Sequence, residues 1–400
     1  MCARAVSQMS SQDKLVDLVL FGGGIAGLWT LARLRKAGYR AVLFESRSLG
    51  GIQSIASQGI IHGGTKYALT GKLTGSAKSI GEMPAIWRAC LAGGGELDLS
   101  DVRVLTGHQL LWSTGSLVSG MAGFFAGKVM QSRMQTLAPG EYPPPFDTAG
   151  FNGSLYRLQE PVLDTASLAE SLVRLVGRHC YALPQLPQIG RSQGRWQVQL
   201  PNGQVLEAGQ LVLTAGSGNA DLLKLLGRQR PRMQTRPLHM LMLRGELPPL
   251  FAHCLGASAN PRLTITSNRL HDGQFVWYLG GQVAEEGVTR DHRQQLAAGR
   301  QELAELLPWV DLAGAQWASL PIARAEVRVA GGRRPDDSFV QQDDGVITCW
   351  PTKLAFAPRL ATQVLARLPP PGADGTQGMA IELPRPPISQ QPWNEDIAWS

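Results

Sequence analysis

The sequence predicts an α/β protein with one lobe on a parallel sheet and a second, α+β lobe on an antiparallel sheet. Three observations carry that expectation. Residues 16–45 read as strand, glycine turn, helix and strand in that order. Residues 236–283 hold three strand-like runs suited to a separate antiparallel sheet. Residues 345–368 return to strand, turn and helix.

The chain has 400 residues, 44% hydrophobic and 17% charged. A chain of this length buries about three quarters of its unfolded surface, which suits one two-lobed unit or two interleaved domains. The composition is that of a globular protein. The net charge is +7, but Lys and Arg are scattered; the densest stretches are LARLRKAGYR and LGRQRPRMQTR. No supporting motif accompanies them, so nucleic acid is not expected as a partner. The cysteines Cys2, Cys90, Cys180, Cys254 and Cys349 form no CxxC pair and fit a reducing compartment. The sequence shows neither a signal-peptide core nor an apolar run long enough to span a membrane, so a cytoplasmic location is expected.

VDLVLF, residues 16–21, fits a buried parallel strand. It breaks at Gly22-Gly23-Gly24. From Ile25 to Lys36 the apolar residues Ile25, Leu28, Leu31, Ala32 and Leu34 recur at helical spacing, and Gly38 ends the helix. RAVLFE, residues 40–45, is the second strand. Gly22-x-Gly24-x-x-Gly27 therefore stands in the setting that a dinucleotide-binding turn requires. Gly22 permits the tight turn, Gly24 the approach of a diphosphate, and Gly27 the close packing of helix on strand. Ile25 and Ala26 open the helix, whose N-terminus carries about half a positive charge. Glu45, followed by Ser46, ends the second strand, where an acid accepts hydrogen bonds from a ribose. The lobe is Rossmann-like.

Beyond Glu45 the chain runs SLGGIQSIASQGIIHGGTKYALTG. Such a segment offers many N–H and hydroxyl groups to a second phosphate and a ring system. A nicotinamide domain would continue instead into a plain helix and a third strand. The stretch resembles the FAD-dependent oxidoreductases of the D-amino-acid oxidase superfamily, which include glycine oxidase, sarcosine oxidase, glycerol-3-phosphate dehydrogenase and 2-hydroxyglutarate oxidase. IIHGGTKYAL, residues 60–69, is closest to the His-Gly-Gly-x-basic-Tyr stretch of the glycerol-3-phosphate dehydrogenases. The resemblance implies FAD as cofactor, bordered by Gln53, Ser54, Ser57, Gln58 and Gly59, with His62, Gly63 and Gly64 near the isoalloxazine. It also implies that Thr214, Ala215 and Gly216 lie near the adenosine and diphosphate.

Further along, residues 76–92 read as a helix and 101–113 as a strand. Residues 115–137 have helical spacing at Leu117, Met121, Phe124, Phe125 and Met130; a packed second-lobe helix is preferred there to a membrane-surface contact. A Pro- and Gly-rich loop follows at 138–150. Asp164 or Thr165 caps a helix with Leu168, Leu172, Leu175 and Val176 on one face. Residues 194–218 form a hairpin at Asn202-Gly203 and a strand into Ala215-Gly216. Strands are expected at 236–248, 262–270 and 273–283, and a charged helix at 289–308. By the resemblance the FAD-binding domain is discontinuous, 1–75, 155–230 and 328–368. The substrate domain takes 76–154 and 231–327, and 369–400 is an extended tail, rich in proline and polar groups.

Flavin chemistry asks the protein mainly for orientation and charge placement. Trp350-Pro351-Thr352-Lys353 precede the last helix, where many superfamily members carry glycines. Pro351 suits a helix start. Thr352 and Lys353 offer N–H groups and a charge to the flavin edge. Trp350 either narrows the cavity or joins the core. GGRRPDD, residues 331–337, matches the stretch that supplies a carboxylate-binding arginine in glycine-oxidase-like enzymes. Arg334 takes that role, with Arg333 as the substitute. His62 is the candidate base, a structural hydrogen bond being the plainer alternative. His239 is a candidate pocket residue, and Lys66 and Tyr67 are candidates to reach an anionic substrate. The histidines show no metal-ligand spacing, and no metal is expected.

The expected function is an FAD-dependent oxidoreductase taking a hydride from the carbon that bears an amine or hydroxyl in a small acid. An amino-acid or amine oxidase-like enzyme fits, with a 2-hydroxyacid or glycerol-3-phosphate-type dehydrogenase as the alternative. An FAD-binding RNA-modification or interaction protein is the alternative of another class and rests only on the basic charge. Oxygen, a quinone or a protein is expected to take the electrons.

Overall fold

The computed structural model describes residues 15–64, 75–114, 134–256, 260–372 and 380–400. Two eight-stranded sheets organise them. In the first, β1 (Leu15–Phe21) runs parallel to β2 (Ala41–Glu45) on one side and to Val205–Leu213 on the other. Cys180–Ala182 extends the sheet beyond β2, and Val346–Trp350 extends it beyond Val205–Leu213, both in parallel. These strands are covered on both faces, which is why they read as continuous apolar runs. Between β1 and β2, α1 (Ile25–Lys36) buries Leu28, Trp29, Leu31 and Leu34 in the core on one face. Gly38 ends it at φ +90°, its N–H donating to Arg35 O at 3.1 Å, a conformation that costs glycine little.

The second sheet runs in the order Gln316–Val327, Met233–Gly245, Phe275–Gly280, Leu263–Arg269, Ala252–Cys254, Gln109–Ser113, Ser154–Leu158, Met134–Thr136. Alternation along its strands gives two faces. One packs Leu241, Leu243, Ile265, Trp277, Leu279 and Trp317 with Leu296 and Leu303 of the helix His292–Leu306. The other carries Met240, Met242, Val276 and Tyr278.

Several expectations change. The stretch 101–113 is two strands, Val104–Thr106 and Gln109–Ser113, in different sheets. Thr106 Oγ1 donates to His108 O at 2.9 Å and closes a turn around Gly107. Of the helix expected at 115–137, residues 115–133 lie outside the described residues, as do Lys66 and Tyr67. Met134–Thr136 is a strand paired with Ser154–Leu158, so 154–158 belongs to the second sheet. Strand 273–283 stops at Gly280, because Gly281 turns at φ +93° into a short helix, Gln282–Glu286. Asp164 is the cap, accepting from Ser167 N at 2.8 Å, and Leu175 is exposed. Pro351 does not start a helix; the last helix, Ala357–Leu365, begins with Pro358 near its N-terminus. Gln316–Val327 is a long strand that the sequence reading missed.

Residues 380–400 wrap the molecule as an extended segment. Ala182 N donates to Pro384 O at 2.8 Å, and Leu49 N to Pro387 O at 2.8 Å. Trp393 is buried with its ring centroid 5.4 Å from that of Tyr278. Among the described residues no helix is long and apolar enough to cross a membrane.

Candidate active site

A cleft of about 430 Å³ opens at the C-terminal ends of β1, β2 and Val205–Leu213, the edge at which open α/β sheets bind ligands. Gly22, Gly24, Ile25, Ala26, Glu45, Ser46, Gln53, Ser54, Thr214, Ala215, Gly216, Trp350 and Pro351 all line it. Gly22 holds φ +102°, and a Cβ there would stand 2.3 Å from Ala215 Cα. Gly27 sits behind the cleft: its Cβ would stand 1.9 Å from Gly22 O, so only glycine lets α1 approach β1 this closely. Among the described residues no side chain caps the helix, and its first turn holds no acid, leaving its positive end directed into the cleft.

Two donors at that end are aimed at oxygen acceptors. Gly23 N donates to Glu45 Oε2 at 2.6 Å, and Ile25 N to Ser54 Oγ at 2.9 Å. Glu45 Oε1 accepts from Arg47 N at 2.8 Å, which fixes the carboxylate at the end of β2. Thr214 Oγ1 lies 2.9 Å from both Phe21 O and Gly22 O, tying the third strand to the glycine turn. An uncapped helix end, a glycine cradle and an oriented carboxylate together fit a dinucleotide. The far wall, Leu183–Pro187 and Asp221, was missed in the sequence; its proline-rich run carries no nucleotide motif.

Ser57, Gln58, Gly59, His62, Gly63, Gly64, Thr352 and Lys353 do not line this cleft. Ser57 Oγ donates to Ser54 O at 2.9 Å. Gln58 Nε2 donates to Tyr278 O at 2.9 Å, pinning the segment to the second sheet. Residues 59–63 are clamped against 160–163: Leu163 N donates to Gly59 O and Ile61 N to Pro161 O, each at 2.9 Å. That clamp sets His62 beside Glu160, which the sequence reading did not single out. His62 Nδ1 lies 3.3 Å from Glu160 Oε2, and Gly63 N donates to Glu160 Oε1 at 2.7 Å. The His62 side chain is 36% exposed against 5% for Glu160. Burial alone would raise the Glu160 pKa; the His62 and Gly63 hydrogen bonds and the charges of His62 and His253 outweigh it and hold the carboxyl below its ordinary range.

His253 completes the group. Its ring stacks on His62 with centroids 5.9 Å apart, and its Nδ1 shares a 2.9 Å hydrogen bond with Thr264 Oγ1. Ligand-type atoms of His62, Glu160 and His253 lie within 4.8 Å of one another, an arrangement that could hold a metal ion, although their sequence spacing suggested none. His239 lies on the opposite face, its Nδ1 3.1 Å from Gly287 O and its Nε2 2.8 Å from Ser319 Oγ. It is a packed core histidine because its strand turns odd-numbered side chains towards the helix His292–Leu306.

Arg333 is exposed, while Arg334 is partly buried with its Nε sealed and, among the described residues, without a hydrogen-bond partner. Trp350 is fully buried beside Phe339, its Nε1 donating to Gly216 O at 2.9 Å. It is core and also props the cleft wall. Thr352 keeps φ +62°, the conformation that glycine supplies elsewhere, and donates from Oγ1 to Asp337 O at 3.1 Å. Asp337 is paired with Arg359 at 2.6 Å. Lys353 is buried with Nζ 5.2 Å from the Phe356 ring centroid.

Residues 17–349 match the DAO family, described as FAD dependent oxidoreductase, and the chain belongs to that family. It is therefore an FAD-dependent oxidoreductase. A probable FAD-dependent oxidoreductase of Pseudomonas aeruginosa is 48% identical over 386 residues, 96% of this chain and 98% of the relative. A crystal structure of an FAD-dependent oxidoreductase from that organism superposes with a TM-score of 0.81 at 43% identity, covering 95% of this chain and 97% of the other. Glycine oxidase from Geobacillus kaustophilus shares the fold, with TM-score 0.64, 15% identity and coverage of 88% and 94%. So does L-α-glycerophosphate oxidase from Mycoplasma pneumoniae, solved with FAD bound, at TM-score 0.61, 14% identity and coverage of 88% and 94%.

Proposed function

We propose that the protein oxidises the carbon bearing a hydroxyl or an amine in a small acidic substrate. FAD, when bound, supplies the hydride acceptor. Gly22, Gly24, Ile25 and Ala26 would hold its diphosphate, Glu45 its ribose, and Thr214, Ala215 and Gly216 the adenosine side. Arg334 would take the substrate carboxylate; its sealed, unpartnered Nε supports that role, since a buried guanidinium donor costs free energy until an acceptor pairs with it. The observation that carries the reading is His62 held on a buried carboxylate beside His253 of the second sheet, a pairing that suits proton transfer. Oxygen, a quinone or a protein would take the electrons. A cytoplasmic location is supported by Cys90, Cys180, Cys254 and Cys349, which are buried free thiols.

The test is anaerobic mixing of the holoenzyme with a panel of small 2-hydroxy acids, 2-amino acids and glycerol phosphate, following flavin absorbance near about 450 nm. Bleaching by a member of the panel, lost with Arg334→Ala through a raised KM, is expected. An enzyme that dithionite reduces but no member of the panel does would contradict the reading.

A further inference from the structure

We infer that Glu160 is a positioning residue that fixes the proton of His62 on Nδ1, and that the site is thereby built for a hydroxyl-bearing acid rather than an amino acid. The inference rests on the reading above and narrows it. Both oxygens of Glu160 are engaged on one side of the site: Oε1 accepts from Gly63 N at 2.7 Å, and Oε2 faces His62 Nδ1 at 3.3 Å. Swinging the carboxylate away would break the bond from Gly63 N. A carboxylate accepts and does not donate. His62 must therefore carry its proton on Nδ1, and Nε2 is the basic nitrogen. The exposures give the same polarity, since the carboxylate is sealed and the imidazole is the member that reaches the surface. His253 limits the ring from its face, with centroids 5.9 Å apart and an interplanar angle of 27°.

An oriented base of this kind matters to one substrate class. An amine can be drawn from solution in its unprotonated form, so its oxidation needs no protein base. A hydroxyl keeps its proton at neutral pH. In the oxidation its O–H bond breaks and the proton passes to His62 Nε2. With FAD bound, the electron pair of the neighbouring C–H bond would leave as hydride to the cofactor while C=O forms. General-base assistance of this kind contributes about 10²- to 10⁴-fold.

The same three side chains also satisfy the donor set of a small metal site. The proton-transfer reading is favoured because the existing hydrogen bonds already orient both partners, through His62 Nδ1 and a backbone N–H.

Glu160→Gln tests the inference without removing the Gly63 bond, because the Gln carbonyl replaces Oε1. Its amide nitrogen then donates towards Nδ1 and reverses the tautomer. In ¹⁵N-histidine spectra the His62 signals, assigned by their absence in His62→Ala, should switch from the Nδ1–H to the Nε2–H pattern. Flavin reduction by the best hydroxy acid should fall about 100-fold with KM within about threefold, and Glu160→Asp should recover part of it. Retained flavin and an unchanged melting transition establish that the variants are folded. A Glu160→Gln protein that keeps the wild-type tautomer and rate, while His62→Ala is slow, overturns the inference and leaves the proposed function standing. Full reduction rates in His62→Ala overturn the base itself. A stoichiometric divalent metal in the purified protein, lost in His253→Ala, overturns the proton role in favour of a metal centre.

Discussion

Gly27 shows how one missing methyl sets the nucleotide lobe. A Cβ there would lie 1.9 Å from Gly22 O and 2.9 Å from Thr214 Oγ1, and the first of these is backbone that cannot swing aside. Gly27→Ala should force α1 off β1 at a cost of about 2–3 kcal/mol. Denaturant midpoints should fall and the purified protein should retain less flavin. Wild-type stability and flavin content in that variant would mean that helix and strand have room the geometry denies. The glycines and Glu45 were legible because their roles depend on neighbours within about thirty residues of chain. Glu160 and His253 were not. Glu160 follows an apolar strand and precedes Pro161 with no periodic signal, and His253 meets His62 only because distant segments pair.

At the scale of elements, the helix Thr165–Val176 is anchored by Asp164 and leads into His179. Burial first, then the charges of Arg35, Arg178 and Arg385, lower the His179 pKa from 6.5 to about 4. The folded imidazole therefore stays neutral where the unfolded chain takes up a proton. Its contribution to stability is full above about pH 6.5 and declines as pH falls towards 4. His179→Gln should flatten that part of the pH–stability curve, as read by urea midpoints at pH 7 and pH 4.5. A slope equal to the wild type would remove His179 from the acid response. Elements with strong local pattern, such as α1 and His292–Leu306, were legible. Short strands such as Ala252–Cys254 were not, because three residues hold no period and their pairing with Gln109–Ser113 is parallel and non-local.

The whole molecule depends on its C-terminal segment more than proline-rich composition suggests. That segment bonds to the strand Cys180–Ala182 and to Leu49, and it buries Trp393 against Tyr278 on the face of the second sheet. Trp393→Ala should cost about 3 kcal/mol, seen as a lower melting temperature in a chain that still folds. A shift within error would show that the segment only decorates the surface. In the first sheet, the proposed binding mode has the glycine turn gripping the diphosphate of FAD and Glu45 holding its ribose. Equilibrium titration of flavin-stripped protein with FAD tests this most directly. The account predicts about one FAD per chain, with Glu45→Ala binding about ten- to a hundredfold more weakly, as expected for loss of charge-assisted hydrogen bonds. No saturable binding, or equal affinity in the two proteins, would contradict it.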